Sequence, residues 1–442
     1  MRALLSISFA FSLAAATAAN GADLVEIYRL AQSSDAQYAA ARAAWSAGQE
    51  KLPQGLAGLL PQASVSASTQ YNDRETRSRD PAVAAVAGRF NSNSASLSVT
   101  QPLYRPQNFA AYDQAKTQVA QADSVFAQAA QDLILRVAQA YFEVLLAQDT
   151  VEFAQAQLTA IGRQLEQARR NFEVGTATIT DTHEAQSRYD ITVSTEIAAR
   201  NDLEIRKRQL EQFIGRSAPG LSPLGKRFSL RSPEPAQMDR WVAEAAESNL
   251  QVRVSRASLE FASQEIERNR AGHRPTLDAF ATYSESGSGP SSPAGVGADA
   301  TSKVVGVQLA VPIYQGGLVS SRVREAVANE DKARQDLENA RRGAELAARQ
   351  TFLGVTSGIA QVKALEAALV SSQSSLDSTR LGQEVGVRTQ IDVLNAQQQL
   401  SQTRRDLAQA KYNYILALLR LKSAAGQLTE QDLALVNAWL DK

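Results

Sequence analysis

Residues 137–172 decide the fold, and they read VAQAYFEVLLAQDTVEFAQAQLTAIGRQLEQARRNF. Apolar or small side chains recur in this stretch at alternating spacings of three and four residues. They are Val137, Ala140, Val144, Ala147, Val151, Ala154, Leu158, Ile161, Leu165, Ala168 and Phe172. Such spacing is typical of helices that wrap around one another as a left-handed coiled coil. No proline interrupts residues 107–172, so the sequence predicts one helix of about 100 Å, which must pack on neighbours along its length.

The pattern occurs again further along the chain. We call such a row of apolar or small positions a seam. The second seam comprises Val355, Gly358, Val362, Leu365, Leu369, Ser372, Leu376 and Thr379, each 211 residues after its counterpart. The segment Thr100-Gln101-Pro102-Leu103-Tyr104 likewise returns as Ala310-Val311-Pro312-Ile313-Tyr314, here after 210 residues. A duplication of this size indicates one architectural unit that is used twice.

Each long helix is predicted to end at a glycine-containing turn, after which a second helix runs back. The turns are Val174-Gly175-Thr176 and Val385-Gly386-Val387. Asp181 and Asp392 lie at or just inside the starts of the returning helices, where a carboxylate stabilises free backbone amides. The returning helices run through residues 189–213 and 400–421 and end at Gly215 and Gly426. Each copy therefore contains a helical hairpin.

A pair of segments with alternating side chains precedes each long helix. These segments are residues 63–71 and 94–100 in the first copy and residues 277–283 and 304–311 in the second. A period of two, with a small polar face and an apolar face, is typical of a strand between water and lipid. The intervening residues 72–91 and 284–302 are rich in Ser, Gly, Pro and charge, which indicates exposed loops.

Four strands are too few to close a barrel, because even small barrels have about eight. Since open sheet edges are not tolerated in lipid, strands that span a membrane would require several chains to share one barrel. The alternative is a small soluble sheet on a helical bundle. The signal sequence and the serine-rich strand faces favour the membrane interpretation.

The N-terminus resembles a secretory signal. Arg2 precedes a short apolar stretch at residues 3–15, and small residues follow as far as Ala22. The apolar stretch is shorter than the roughly 20 residues of a membrane-spanning helix, so we predict cleavage between Ala18 and Ala22. We expect no later stretch to be long and apolar enough to span a membrane.

Composition excludes several classes of function. The 46 basic and 46 acidic residues balance, which argues against a nucleic-acid partner. The chain has no cysteine and only two histidines, His183 and His273, so we predict no disulfide, no metal site and no cofactor. No phosphate-binding loop or other catalytic constellation is present, and we predict that the protein is not an enzyme.

Taken together, the motifs identify the chain as resembling the TolC family of trimeric outer-membrane channels. The most specific are Phe172-Glu-Val-Gly-Thr-Ala-Thr-Ile-Thr-Asp181, Val385-Gly-Val-Arg-Thr-Gln-Ile-Asp-Val-Leu394 and Lys411-Tyr-Asn-Tyr-Ile415. Lys422-Ser-Ala-Ala-Gly426 and Leu428-Thr-Glu-Gln-Asp432 add to them. The resemblance implies an α+β membrane protein with two internal repeats: a trimeric outer-membrane β-barrel with four strands per chain, continued by a long periplasmic α-helical barrel of coiled-coil hairpins.

On this basis we expect a signal peptide at 1–22, repeat 1 at 23–215 and repeat 2 at 239–426. Repeat 1 would contain strands at about 62–72 and 93–104 and a hairpin at 107–214. Repeat 2 would contain strands at about 276–285 and 302–314 and a hairpin at 316–425. An equatorial connector at 216–238 and a C-terminal equatorial segment at 427–442 complete the chain.

The resemblance also implies roles for the hairpin tips. Thr180, Asp181 and Arg388 match the polar links that close the periplasmic gate, with a solvated surface charge as the alternative for Arg388. Gln383 replaces a family tyrosine in that constellation. Asp392 matches the acidic ring of the entrance, with helix capping alone as the alternative. Asn395 replaces a second acidic ring, which predicts weak cation block. Val174, Gly175, Thr176, Val385, Gly386 and Val387 would contact an adaptor.

The implied function is an export duct in the outer membrane of a Gram-negative bacterium, with its helical tunnel in the periplasm. It would serve tripartite efflux pumps or type I secretion systems, and carry small molecules, proteins or both. The expected partners are two further copies of the chain, outer-membrane lipid, a periplasmic adaptor and an inner-membrane RND or ABC transporter. The alternative is a structural periplasmic coiled-coil scaffold that conducts nothing.

Overall fold

A computed structural model describes residues 21–80, 82, 85–176, 178–290 and 296–441. All but the last two residues of the predicted signal peptide lie outside these ranges. The helices are α1 Leu24–Ser34, α2 Ala36–Gln49, α3 Lys51–Ala57, α4 Pro106–Glu173, α5 Ile179–Ile214, α6 Met238–Ser248, α7 Leu250–Arg270, α8 Leu318–Glu384, α9 Gln390–Ala424 and α10 Glu430–Asn437. The strands are β1 Gln62–Thr76, β2 Val86–Tyr104, β3 Thr276–Ser288 and β4 Ala298–Ala310.

The chain divides into two compact units. The first, which we call the helical unit, comprises Met1–Ala41, Gln128–Asn249 and Gly343–Lys442. The second, the sheet unit, comprises Arg42–Ala127 and Leu250–Arg342. Both units draw on both sequence repeats, so the duplication does not correspond to two separate domains.

The sheet unit contains one antiparallel sheet in the order β1-β2-β3-β4. Its register places Val65, Leu97 and Tyr283 in one row, so that these side chains share a face. The opposite face of β1 and β2 carries serines, and the Oγ atoms of Ser66 and Ser96 are 2.8 Å apart. The sheet therefore has the apolar and polar faces that the alternating pattern predicts.

The strands extend further than the sequence pattern indicated at the ends joined by loops. Asp73 pairs with Arg89 at 2.9 Å in the β1–β2 hairpin, so charged residues assigned to a loop continue the ladder. At the other end, β4 stops at Ala310 rather than 314. Its partner strand begins at Thr276, opposite Ala310, and Pro312 has no amide hydrogen to donate.

Several short helices have no counterpart in the sequence-based predictions. In the sheet unit, α2 and α3 pack closely on α4, because Gly48 and Gly55 face Ala122 and Ala115. The Trp45 ring also stacks at 5.3 Å on Phe126. The amphipathic helices α1 and α6 bury their apolar faces in the helical unit.

The predicted seam of α4 is the core of the helical unit. Its residues from Val137 to Ala168 are buried, apart from Val151 and Leu158, which are half-buried, whereas Phe172 is exposed near the tip. Leu165 and Ala168 pack on Ala185 of α5. In the second hairpin, the equivalent cluster is Leu376 of α8 with Val393 and Leu400 of α9.

Helix α8 leaves much of its apolar surface uncovered within one chain. It contains an 18-residue window with a mean hydropathy of 1.2, of which 11% is buried. The expectation that no later stretch is apolar enough to span a membrane is therefore wrong by this criterion. One such helix does not establish a span, and apolar side chains of α8 such as Leu353 and Val370 are exposed within one chain.

The connector between the repeats meets both ends of the described chain. Leu221 bridges to Ala22, and Leu224 bridges to Leu440. The Tyr141 hydroxyl donates to the carbonyl of Ser222 at 2.8 Å. The predicted equatorial connector and the predicted C-terminal equatorial segment thus contact each other.

Candidate functional site

The two hairpin tips have the same backbone geometry. Gly175 and Gly386 have φ angles of 78° and 81°, in the left-handed region that favours glycine. Their amides donate to the carbonyls of Phe172 and Gln383, both at 3.0 Å, which closes each helix end. The neighbouring valines at positions 174, 385 and 387 are at least two-thirds exposed.

Each returning helix begins with the same capping box. The Thr178 hydroxyl accepts a hydrogen bond from the amide of Asp181 at 3.2 Å, and the Asp181 carboxylate accepts one from the amide of Thr178 at 3.0 Å. Thr389 and Asp392 repeat these bonds at 3.2 Å and 2.9 Å. Sequence reasoning found the two aspartates but missed the threonines, although the Thr-x-x-Asp spacing carried the signal.

The capping bonds also set the ionisation of Asp392. Backbone and hydroxyl hydrogen bonds from Thr389 hold the pKa of this carboxyl below its usual value. The nearby Arg388 acts in the same direction. Asp392 is therefore a carboxylate at neutral pH, as a charged ring requires, while it also caps α9.

The predicted gate residues do not meet one another within one chain. The stem of Arg388 lies against Gly382, so a Cβ at that glycine would be 2.7 Å from Cγ of the arginine. Thr180 is exposed at the second position of α5, and the Asp181 carboxylate is used by the cap. Gln383 donates to Gln390 of its own hairpin. Among the described residues, Arg388 and Asp181 therefore share no hydrogen bond or ion pair.

A different polar link joins the two returning helices inside one chain. Arg188 of α5 donates to Gln398 at 3.0 Å and to Asn395 at 3.2 Å, both on α9. Sequence reasoning missed this contact, because the partners lie more than 200 residues apart and no local pattern connects them. The structure shows that Asn395 is bonded to a cation rather than free.

The two histidines lie at unremarkable positions. His183 is exposed on α5, and His273 ends a 3-10 turn at Ala271–His273 between α7 and β3. Within the part of the chain that the structure describes, no group of three or more His, Cys, Asp or Glu residues is placed to hold a metal ion.

Comparison with solved structures identifies the fold. The Campylobacter jejuni CmeC outer membrane channel superposes with a TM-score of 0.76, over 100% of this chain and 98% of that one. Its sequence identity is 15%, so the likeness concerns the fold alone. The chain thus has the fold of an outer-membrane channel.

Sequence comparison then gives the family. The profile of the outer membrane efflux protein family matches residues 27–216 and 241–427. Outer membrane protein TolC of Escherichia coli is 36% identical over 100% of this chain and 90% of its own length. Alkaline protease secretion protein AprF of Pseudomonas aeruginosa is 34% identical over 99% and 92%. The chain belongs to the outer membrane efflux protein family, and the resemblance to TolC is confirmed.

Family membership fixes the location and the general activity. The protein is an outer-membrane channel protein of efflux and secretion, with its helical tunnel in the periplasm of a Gram-negative bacterium. Its relatives are channel proteins rather than enzymes.

Proposed function

We propose that three copies of this chain form the exit duct of an export system. The observation that carries the proposal is the four-stranded sheet, which has one apolar face and two open edges, β1 and β4. Open edges are not stable in lipid, and three chains would supply twelve strands to close a barrel. The apolar face would contact outer-membrane lipid. The exposed apolar surface of α8 would be covered by the neighbouring copy.

The hairpin tips would form the periplasmic gate of this duct. Thr180 and Asp181 of one copy would face Arg388 of the next, because these groups lie at equivalent tips and do not pair within a chain. Exposed links of this kind contribute little each, roughly 1 kcal/mol or less, which suits a gate that a partner opens. Gln383, which bonds within its own hairpin, would not add to the lock.

Two variants test the gate. Arg388→Ala and Asp181→Ala should each raise the resting conductance, because each removes one side of the same link. Asp181→Ala also removes the cap of α5, so Thr178→Ala, which disrupts the cap and keeps the carboxylate, is the matched control. Resting conductances equal to the parent in both gate variants would contradict the gate assignment.

The partners follow from the surfaces that the tips expose. Val174, Gly175, Thr176, Val385, Gly386 and Val387 would contact a periplasmic adaptor, because their side chains and turns are open to solvent. The adaptor would connect the duct to an inner-membrane RND or ABC transporter. Such a transporter would supply the energy and select the cargo, so the duct itself would catalyse no reaction.

The cargo class is tested in the source bacterium. One relative is named for protease secretion and the matched family for efflux, so both small molecules and proteins are candidates. Deletion of the gene should raise the accumulation of small toxic compounds, lower the amount of secreted protein in the medium, or both. A deletion strain that is unchanged in both measurements would contradict an export role.

A further inference from the structure

The geometry of the link between Arg188 and α9 defines which atoms donate and which accept. Two different guanidinium nitrogens donate, one to Oε1 of Gln398 and one to Oδ1 of Asn395. Because arginine has no acceptor, both amides must turn their oxygens toward α5. Arg188 therefore bridges two positions on α9 that lie three residues apart and share one helix face.

Among the contacts described, the two bonds to α9 are the only hydrogen bonds of the Arg188 side chain. Its side chain is 33% exposed, and the nearest acidic partner is Glu184 on the same helix, at 3.9 Å. Thr192, one turn further along α5, uses its hydroxyl to donate to the Arg188 carbonyl at 2.8 Å. The bridge lies on the same hairpins as the capping boxes, since Arg188 follows Asp181 by seven residues and Asn395 follows Asp392 by three.

We propose that Arg188 is a positioning residue of the periplasmic entrance, which pins α9 to α5 within each chain and places a positive charge against position 395. The proposal rests on the proposed function, because it concerns the helices that would line the entrance. It has a direct consequence for charge. An acidic residue at 395 would pair with Arg188 and would add little negative potential to the ring formed by Asp392.

The first test removes the bridge. Arg188→Met keeps the length of the side chain and loses every donor, so α9 is released and the resting conductance of the purified protein in planar bilayers should rise severalfold. Arg188→Lys, which can donate to one acceptor, should restore part of the closed state. Arg405→Met is the matched control, because Arg405 of α9 bonds only Gln402 of its own helix, at 2.7 Å, among the contacts described. An Arg188→Met channel as closed as the control would overturn the pinning role.

The second test uses charge, which loss of packing alone would not reproduce. In the parent background, Asn395→Asp should change the blocking concentration of a trivalent cation less than about twofold, because Arg188 neutralises the new carboxylate. In the Arg188→Met background, the same substitution should lower that concentration by about tenfold. Equal strengthening of the block in both backgrounds would show that Arg188 does not face position 395.

A third measurement separates this proposal from the proposed function. If the parent conducts no current, the duct assignment fails, but the contact is still measured by thermal unfolding in detergent. Asn395→Asp should raise the unfolding temperature when Arg188 is present and should not raise it in the Arg188→Met background. Equal shifts in the two backgrounds would overturn the contact itself.

Discussion

Asp35, between α1 and α2, holds both helices to α4. Its carboxylate accepts two hydrogen bonds from Arg136, at 3.1 and 3.2 Å, and the amide of Tyr38 at 2.6 Å. Burial alone would raise the pKa of Asp35, but these hydrogen bonds outweigh it and hold the pKa below the usual 3.8. The ionised carboxylate is therefore the form that stabilises the fold.

We expect Asp35→Asn to lower the free energy of unfolding by about 2 kcal/mol at neutral pH, because it removes the negative charge that pairs with Arg136. The contribution should be complete above about pH 4 and lost as the pH falls below that value, since the folded protein then binds fewer protons than the unfolded chain. Urea unfolding at several pH values measures both effects. Asp336→Asn, which breaks an exposed pair with Lys332, is the control and should change little. If the free energy of unfolding of Asp35→Asn falls at low pH as steeply as that of the parent, Asp35 does not have this role.

Asp392 has two roles that different substitutions separate. Asp392→Asn should weaken cation block from the periplasmic side, because three carboxylates around one axis concentrate negative potential. Thr389→Ala disrupts the cap but keeps the charge, so it should preserve the block. Since hydrogen bonds from Thr389 lower the pKa of Asp392, the carboxylate should be ionised and the block should be present at neutral pH. Equal block in both variants and the parent would make Asp392 a helix cap alone.

The packing of α3 on α4 requires a residue without a side chain. A Cβ at Gly55 would lie 2.6 Å from the Cβ of Ala115 and 3.3 Å from the Cα of Tyr112. Gly343 in α8 has no atom within 4 Å of its Cβ position inside the chain. The same substitution should therefore have opposite effects at the two sites.

We expect Gly55→Ala to destabilise the protein by about 1–3 kcal/mol, because the two helices must move apart. Gly343→Ala should stabilise it by up to about 1 kcal/mol, because alanine favours the helix. Unfolding of both purified variants in urea gives the sign directly. Stabilisation by both substitutions would show that α3 does not approach α4 this closely.

The long elements were predictable from sequence, and the short ones were not. The seams of α4 and α8 repeat over many turns, so their period stands out from chance. Helices α1 to α3 have only 11, 14 and 7 residues, and α3 contains Pro53 and Gly55, which conceal its helical character. At the tips, glycine and aspartate carried a local signal, whereas the Arg188 bridge depends on packing between distant hairpins.

A single chain leaves the two sheet edges unpaired and part of α8 uncovered among the described residues. The sheet has two open edges and α8 has exposed apolar side chains, so we expect a trimer that resists detergent and heat. Mass measurement in mild detergent should give about three times the 47.6 kDa chain, less the signal peptide. A purely monomeric protein would contradict the shared barrel.

The family gives the molecule a function that its sequence pattern alone left between a channel and a scaffold. The seam and the two-faced strands follow from periodicity, and they would serve either role. The matched profile and relatives decide in favour of an outer-membrane channel. The gate residues remain predictions, because the proposed links join neighbouring copies of the chain.

Conduction of current by this chain can be measured in planar lipid bilayers. Purified protein added to one side should insert and give stepwise current increments of small resting size. The same preparation of Arg388→Ala should give larger increments, because its tips are no longer linked. Folded, trimeric protein that inserts and gives no current in either form would contradict the account and support a structural scaffold.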